Sequence, residues 1–318
     1  MKILLAGGAG YIGSALGPAL IEDGYEVTAI DLLWFGNHLP KEVKVIEKDL
    51  FKCQHDDFAG FDQVIFLAGL SNDPMAEHDP ASNFIYNAAL PSYLAFTAKK
   101  AGVKRFIYAS SCSVYGYTVN KLYDEASPTT CNYPYGISKL QGEEGVMKMQ
   151  DKDFSTISLR QGTVCGHSPR MRMDLLINTM FKTAMTEGRI TVNNPSLWRP
   201  VYHIQDAVTA YMRAVQADYA LNGIFNVCSD NCTIGQAADL VKYEVERLTG
   251  KRTKIILKDV MDLRNYKVNI QKARTELGFL PKRSIENIVA DLHAHRESYG
   301  DYENDGFYNI RVFKKLKH

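Results

Sequence analysis

The chain has 318 residues, of which 46% are hydrophobic and 23% are charged, and 37 basic side chains balance 36 acidic ones. This composition is typical of a globular protein and excludes disordered, collagen-like and coiled-coil chains. A net charge of +1 provides no overall basic field, so we expect no nucleic-acid partner.

The sequence also predicts neither a membrane-spanning segment nor a bound metal. No run of 18 apolar residues occurs, so we expect no membrane span. The six cysteines form no Cys-x-x-Cys pair, which favours reduced thiols over a disulfide framework or a metal site. We therefore interpret the chain as a cytoplasmic protein without a bound metal.

Short aliphatic runs alternate with longer amphipathic segments in the first half of the chain. The predicted strands cover residues 2–6, 26–30, 43–47, 63–68, 104–109 and 155–159, and the predicted helices cover 11–23, 80–102 and 135–151. Strands that are apolar on both faces and alternate with helices indicate a parallel sheet covered on both sides. With right-handed crossovers, this pattern predicts an α/β fold with a Rossmann-type doubly wound sheet.

The pattern becomes less regular after about residue 165. Helices are predicted at 174–187, 205–217, 235–249 and 284–300, and strands at 201–204, 223–227 and 254–257. The aromatic and basic residues 301–318 are expected to form a surface wrap or a tail.

A glycine-rich turn follows the first predicted strand. Gly7, Gly10 and Gly13 have the spacing that a dinucleotide-binding turn needs: a tight turn, close backbone approach to a diphosphate, and close helix packing. The N-terminus of the following helix then faces the phosphates. We predict that this loop, with Tyr11 and Ile12, binds a dinucleotide.

Two acidic residues extend this prediction. Asp31 ends the second strand, where a carboxylate accepts hydrogen bonds from ribose hydroxyls and repels a 2′-phosphate. No Lys or Arg occurs between Asp31 and Lys41, which favours NAD over NADP. Asp49, followed by Leu50, is a candidate adenine contact, although a solvated loop acid has the same pattern.

These features suggest a division of the chain. We interpret residues 1–167 as the NAD-binding domain, to which 200–228 return. Residues 168–199 and 229–318 are interpreted as a smaller α/β substrate lobe.

A second group of residues has the pattern of a proton-transfer site. Tyr135 and Lys139 are four positions apart on one face of a predicted helix, and Ser111 ends a predicted strand. A neighbouring Lys lowers the pKa of a phenol, so Tyr135 can act as a general base on a substrate hydroxyl. The Ser111 hydroxyl can bind the same oxygen.

Together these motifs resemble the extended short-chain dehydrogenases/reductases of the nucleotide-sugar epimerase/dehydratase type, which include the UDP-glucose/galactose 4-epimerases. The resemblance covers nearly the whole chain. Further matching segments are 66–69, Asn87, 199–206, 262–266 and 277–281.

The resemblance implies a role for each matching residue. Ser111, Tyr135 and Lys139 are implied to be catalytic, with Lys139 also holding the nicotinamide ribose. The implied cofactor is NAD, contacted additionally by Leu67, Ala68, Gly69 and Asn87. The implied substrate is a nucleotide-diphosphate sugar, with Ser113, Thr163, Arg170, Arg172, Arg199 and Arg264 as candidate contacts. A homodimer is implied, paired through the helices at 80–102 and 135–151.

The candidate arginines differ in the ligand groups that they suit. Arg199 suits a bidentate grip on the diphosphate of the sugar nucleotide, against the alternative of a surface ion pair. Arg170 and Arg172 could bind a phosphate or a sugar acid, or form a solvated basic turn.

Three positions depart from the family pattern. Dehydratases carry an Asp-Glu pair directly after the catalytic hydroxyl, where this chain has Cys112 and Ser113. We therefore do not expect dehydration. UDP-galactose 4-epimerases carry an Asn where this chain has Thr163, so that amide contact to the diphosphate is missing.

Three functions remain open from the sequence. The first is an NAD-dependent nucleotide-sugar epimerase, acting at C4 through a transient keto sugar with hydride return to the opposite face. The second is an NAD(P)H-dependent reductase of a keto nucleotide sugar, which would use the same three residues. The third, a non-catalytic dinucleotide-binding regulator, is less favoured because all three catalytic residues are present.

Overall fold

The computed structural model describes residues 1–258 and 264–316, and within them a parallel central sheet is flanked by helices. The strands are β1 (Lys2–Ala6), β2 (Glu26–Asp31), β3 (Lys44–Glu47), β4 (Gln63–Phe66), β5 (Arg105–Ser111), β6 (Tyr117–Tyr123), β7 (Ser155–Gln161), β8 (Thr163–Cys165), β9 (Arg189–Asn193), β10 (Trp198–His203), β11 (Gly223–Val227), β12 (Asp230–Thr233), β13 (Lys254–Lys258) and β14 (Asn265–Val268). The α-helices are α1 (Tyr11–Glu22), α2 (Asp73–His78), α3 (Pro80–Phe84), α4 (Leu90–Lys100), α5 (Pro134–Met147), α6 (Leu176–Glu187), α7 (Ile204–Gln216), α8 (Ile234–Thr249), α9 (Gln271–Glu276), α10 (Ile285–Ala294) and α11 (Asn309–Leu316). Asp262 and Leu263 of the matching segment 262–266 lie outside the described residues, as do residues 317–318.

The central sheet has seven strands in the order β11-β7-β5-β4-β1-β2-β3, and every neighbouring pair is parallel. The predicted doubly wound α/β sheet is therefore confirmed. The strand order reverses between β1 and β4, where a crevice opens beyond the carboxyl ends of the strands. Strand β11 comes from the second half of the chain and pairs with β7 at the sheet edge.

Three small sheets accompany the central one: β12-β10-β8, β13-β9 and β14-β6. Several of their strands, together with helices α2, α9 and α11, were not predicted because each is short. Some predicted boundaries also shift, since the strand at 63–68 ends at Phe66 and the helix at 284–300 ends at Ala294. Within the described ranges, no helix has both the length and the apolar character to cross a membrane.

The predicted helix at 80–102 is interrupted by one π-helical turn, Ile85–Ala89, between α3 and α4. Pro91 has no backbone N–H, so the carbonyl of Asn87 lacks its usual helical donor. The hydroxyl of Tyr108 donates to this carbonyl oxygen instead, at 3.0 Å. Helix α5 approaches the same turn so closely that a Cβ at Gly142 would lie 2.1 Å from the Asn87 oxygen. The irregular turn thus fits α5 tightly against its neighbour.

The C-terminal segment is not a tail, and that part of the expectation for 301–318 is wrong. Residues Asn309–Leu316 form α11, and the Phe313 side chain is 1% exposed. Phe313 packs with Leu70 and Met75 and lies 5.9 Å from the ring of Trp34. Apolar burial of this one aromatic ring holds the segment against the body of the protein.

A buried ion pair fixes α5 on the central sheet. The Arg160 guanidinium of β7 donates to the Glu143 carboxylate of α5, with the shortest contact at 2.6 Å. The side chains are only 4% and 1% exposed. Ser158 donates to the same carboxylate, and a further Arg160 N–H donates to the Tyr115 hydroxyl. The polar atoms that are buried here therefore satisfy one another.

Removing one partner of this pair should be costly. We expect Glu143→Ala to lower the free energy of unfolding by about 3–5 kcal/mol, because it leaves the Arg160 charge buried and unpaired. The neighbouring Glu144 is exposed and is the matched control, with an expected change within about 0.5 kcal/mol. Urea unfolding of both variants measures the difference, and equal small losses would show that α5 does not depend on the pair.

Candidate active site

One continuous cleft of about 670 Å³ runs along the carboxyl edge of the central sheet. All of the residues predicted as catalytic, cofactor or substrate contacts line it: Gly7, Gly10, Tyr11, Ile12, Gly13, Asp31, Asp49, Leu50, Leu67, Ala68, Gly69, Asn87, Ser111, Ser113, Tyr135, Lys139, Thr163, Arg170, Arg172, Arg199 and Arg264. The strand ends bring these residues together from distant parts of the sequence. Their individual roles remain predictions.

The glycine loop has the close packing that its spacing predicted. Gly7 has a φ of +81°, and a Cβ there would lie 2.5 Å from the backbone nitrogen of Ala68. A Cβ at Gly13 would lie 2.1 Å from the carbonyl oxygen of Gly8. Gly10 precedes α1, and no side chain caps that helix start. The first N–H groups of α1 are therefore available to an anion such as a diphosphate.

Asp31 lies beside this loop at the end of β2. One carboxylate oxygen accepts from Ala9 N at 3.0 Å and the other from Leu33 N at 2.8 Å. Burial raises the pKa of Asp31, while these backbone hydrogen bonds act in the opposite direction. Each oxygen keeps capacity for a further hydrogen bond, as from a ribose hydroxyl.

Two other predicted cofactor residues have structural roles of their own. The Asp49 carboxylate accepts from Phe51 N and so caps a short 3₁₀ turn that begins at Leu50. The Tyr11 hydroxyl donates to Gly166 O at 2.6 Å, which anchors the start of α1. Tyr11 therefore reaches the cleft next to the glycine loop without its hydroxyl being free.

The three predicted catalytic residues meet in the middle of the cleft. Ser111 ends β5, and Tyr135 and Lys139 lie one turn apart on α5. The Ser113 hydroxyl donates to Ser111 Oγ at 2.9 Å. Ser111 lies close enough to Tyr135 to lower the pKa of its phenol. The arrangement brings a hydroxyl and a phenol together in the cleft.

The pKa values of Tyr135 and Lys139 differ from the prediction made from the sequence. Burial raises the pKa of Tyr135, the Asp73 carboxylate adds to the effect, and Ser111 and Arg172 oppose it. Burial lowers the pKa of Lys139 to about 7, against the attraction of Glu143. The expectation that Lys139 lowers the pKa of Tyr135 is therefore not met here, because burial dominates at both groups. The Lys139 ammonium lies 4.5 Å from the centre of the Tyr108 ring.

The lowered pKa of Lys139 makes the free energy of unfolding depend on pH in a direction that can be measured. Between its folded pKa of about 7 and the ordinary Lys value, the unfolded chain binds a proton that the folded chain does not. The stability of the wild type should therefore rise with pH relative to Lys139→Met, by at most about 1.4 kcal/mol per pH unit. Unfolding free energies from pH 6 to pH 9 test this. The exposed Lys148 at the end of the same helix is the control, and a pH trend equal for both variants would contradict the prediction.

The four candidate substrate arginines lie in two groups. Arg199 donates to the carbonyl oxygens of Trp198 and Arg264 and lies over the ring of Tyr266. Arg264 pairs with Asp73 at 2.5 Å. These two arginines and Tyr266 form one wall of the cleft near the catalytic residues.

The other two arginines lie on the loop between β8 and α6. Arg172 makes a bidentate pair with Asp174 and donates to the Ser71 hydroxyl. Arg170 lies over the ring of Phe35 and donates to Asn309. Arg170 therefore lies close to Phe35 and Asp31, and its role as a substrate contact stays a prediction.

Several residues that line the cleft were missed from the sequence: Trp34, Phe35, Ser71, Asn72, Asp73, Tyr86, Gln161, Asp174, Tyr266, Asn309 and Ile310. Asp73 had a usable signal, because Asn72-Asp73-Pro74 is a typical helix start after a strand. Asn309 had none, since its partners Arg170 and Ser71 are far away in the sequence.

The sheet topology, the glycine loop at its reversal point and the Ser111–Tyr135–Lys139 group define a dinucleotide-dependent protein of the short-chain dehydrogenase/reductase type. Residues 3–228 match the model of the NAD dependent epimerase/dehydratase family. The chain belongs to that family, and its cofactor is NAD.

Individual relatives agree over the full length. The chain is 25% identical to the UDP-glucose 4-epimerase of Corynebacterium glutamicum, covering 95% of this chain and 97% of the relative. Among solved structures, MoeE5 in complex with UDP-glucuronic acid and NAD superposes with a TM-score of 0.83 at 24% identity, covering 94% and 100% of the two chains. The UDP-glucuronic acid 4-epimerase of Bacillus cereus gives 0.82 at 22% identity, with the same coverage. At these identities the solved structures establish the shared fold.

Proposed function

We propose that this protein is an NAD-dependent epimerase that inverts C4 of a nucleotide-diphosphate sugar. The observation that carries the proposal is one cleft that holds both the uncapped α1 start and the Ser111–Tyr135 pair. The full-length similarity to a UDP-glucose 4-epimerase supports the same reaction and a UDP-sugar as substrate.

The residues present fit NAD. A Cβ at Gly10 would meet only the carbonyl oxygen of Gly7, at 3.4 Å, among the described residues. A diphosphate can therefore approach the α1 N-terminus there. Asp31 suits the adenosine ribose and disfavours a 2′-phosphate. When bound, NAD supplies the two-electron acceptor and donor of the reaction and, in its oxidised form, a positive ring charge.

Proton transfer falls to Tyr135. Its phenol oxygen takes the proton of the C4 hydroxyl while the C4 hydrogen leaves as hydride, and Ser111 donates to the same sugar oxygen. Burial raises the pKa of Tyr135, while Ser111 and the charge of Arg172 act in the opposite direction and favour the phenolate, as the positive ring charge of oxidised NAD would when bound. The product of this half-reaction is a 4-keto sugar.

The second half-reaction reverses the first after the keto sugar has turned over. Hydride returns to the opposite face of C4, and Tyr135 gives its proton back to the oxygen. Cys112, where dehydratases carry an acid, is 1% exposed and donates to the Arg160 carbonyl. No acid stands at that position to expel water, so the keto sugar is reduced again without losing a hydroxyl.

The wall formed by Arg199 and Arg264 is suited to the diphosphate of the sugar nucleotide. Arg264 reaches Asp73, whose carboxylate acts on Tyr135, so this wall and the reacting centre are electrostatically linked. Ser113 and Thr163 line the intervening space and can bind sugar hydroxyls.

Because epimerisation regenerates NAD in each turnover, the cofactor should stay bound to the protein. We expect protein purified without added cofactor to release close to one NAD per chain on denaturation. It should then interconvert UDP-glucose and UDP-galactose, or the corresponding glucuronic acid pair, without added NAD. Stoichiometric consumption of NADH with a keto nucleotide sugar would instead identify a reductase and overturn the proposal.

Tyr135→Phe removes the general base without removing the ring. We expect it to reduce turnover by at least about a hundredfold, since general base catalysis contributes about 10²–10⁴-fold. Binding of NADH, followed by its fluorescence, should be unchanged. Tyr243→Phe on the exposed surface of α8 is the control, and full activity of the Tyr135 variant would exclude Tyr135 as the base.

We also propose a homodimer that pairs through α3–α4 and α5. Ile85, Tyr93 and Phe96 are 48%, 39% and 45% exposed along this face, although each is large and apolar. A surface of this kind is typical of a protein–protein interface.

Phe96→Glu should weaken this dimer by placing charges within an apolar contact. Sedimentation velocity should show a dimer for the wild type and a shift to monomer for the variant. Tyr243→Glu, on a distant exposed helix, should remain dimeric. A wild type that sediments as a monomer at all concentrations would rule out the pairing.

A further inference from the structure

Arg170 is a buried cation that no carboxylate in the described residues neutralises directly. It is 2% exposed, and its backbone N–H donates to Ser14 of α1 at 3.2 Å. Its guanidinium lies 3.6 Å from the centre of the Phe35 ring, and one terminal N–H donates to Asn309 Oδ1 at 2.5 Å. The buried Nε has no hydrogen-bond partner among the described residues.

The contrast with Arg172, two residues away, is informative. Arg172 is satisfied by the bidentate carboxylate of Asp174 and by Ser71. Arg170 keeps unused donors in the same cleft, and burial lowers its pKa to about 9. Asp174 and Asp31 act on Arg170 from a distance, but neither forms an ion pair with it, and a buried charge without a direct partner costs stability unless a ligand supplies one. The position therefore calls for an anion.

The contacts of Arg170 show where that anion lies. Phe35 follows Asp31 at the adenosine side of the cleft. Asn309 connects Arg170 to Ser71, its amide donating to the serine hydroxyl at 2.6 Å, on the loop that follows β4. Ser14 belongs to the first turns of α1, whose uncapped start lies between these two sides. The diphosphate is the part of a dinucleotide that joins its two nucleosides across such a helix start.

We infer that Arg170 binds the diphosphate of the dinucleotide and that Asn309, from the C-terminal helix, orients its guanidinium. This inference rests on the cofactor role stated under the proposed function. It assigns Arg170 to the cofactor and leaves Arg199 and Arg264 to the sugar nucleotide. Arg170 and the N–H groups of α1 then hold the same anion from two sides.

A diphosphate could also come from the sugar nucleotide, and binding measurements separate the two sources. Arg170→Met keeps an unbranched side chain about as long as the aliphatic stem of Arg and removes the guanidinium and its charge. Loss of charge-assisted hydrogen bonds should weaken the binding of ADP-ribose and NADH about 10- to 100-fold. Adenosine, which lacks phosphate, and UDP should bind within about twofold of the wild type. NADH fluorescence and competition by the other three ligands give all four affinities.

Each other result has a clear meaning. Equal weakening of adenosine and ADP-ribose would show that Arg170 acts only by packing on Phe35. Weaker binding of UDP alone would show that Arg170 contacts the sugar nucleotide. Either result overturns the inference, as does wild-type affinity for ADP-ribose. Failure of the wild type itself to bind NADH would instead overturn the proposed function.

Folding is checked in the same experiment. Because Met replaces a buried and unneutralised charge, the apoprotein should unfold at the same temperature or higher. Arg170→Lys keeps the charge and should recover part of the preference for ADP-ribose over adenosine. Asn309→Ala should reduce that preference by a smaller factor, because it frees the guanidinium without removing it. Lys314→Ala, exposed on the same helix, is the matched control and should leave the preference unchanged.

Discussion

The placement of the reacting residues depends on the buried pair of Glu143 and Arg160. Tyr135, Lys139 and Glu143 follow one another at four-residue steps, so the carboxylate anchors the same face of α5 that carries the proposed base, Tyr135. Arg160 holds that face against β7, one strand from the end of β5 that supplies Ser111. The same carboxylate raises the pKa of Lys139 against the effect of burial. One ion pair thus determines both where the phenol lies and how far the ammonium is destabilised.

The cleft separates two charged environments along its length. At one end, backbone N–H groups and Arg170 present positive charge beside Asp31. At the other, Arg199 and Arg264 line the wall across from the catalytic residues. Ser111 and Tyr135 line the same cleft together with Asp73 and Arg172, whose charges act on the phenol. Two diphosphates can then be fixed at opposite ends, which leaves the reacting carbon and the nicotinamide to meet in the middle.

The sequence predicted the parts of the site whose geometry is local. Gly7, Gly10 and Gly13 belong to one turn, and Tyr135 and Lys139 to one helical face, so spacing alone was sufficient. The partners of Arg170, Phe35 and Asn309, could not be read from spacing, because only tertiary packing brings them to it. The π-helical turn was invisible for a related reason, since the Tyr108 hydroxyl that satisfies Asn87 comes from a separate strand. The raised pKa of Tyr135 likewise follows from burial, which no spacing rule reports.

The cofactor end of the cleft is assembled from opposite ends of the polypeptide. Asn309 contacts Ser71 across 238 positions and Arg170 across 139, and Phe313 holds the segment in place. During synthesis the glycine loop leaves the ribosome about 300 residues before Asn309 and Phe313, which complete its pocket. The growing chain can therefore form the parallel sheet well before it can retain a dinucleotide. Cofactor capture becomes a late event in folding, one that reports that translation has passed residue 313.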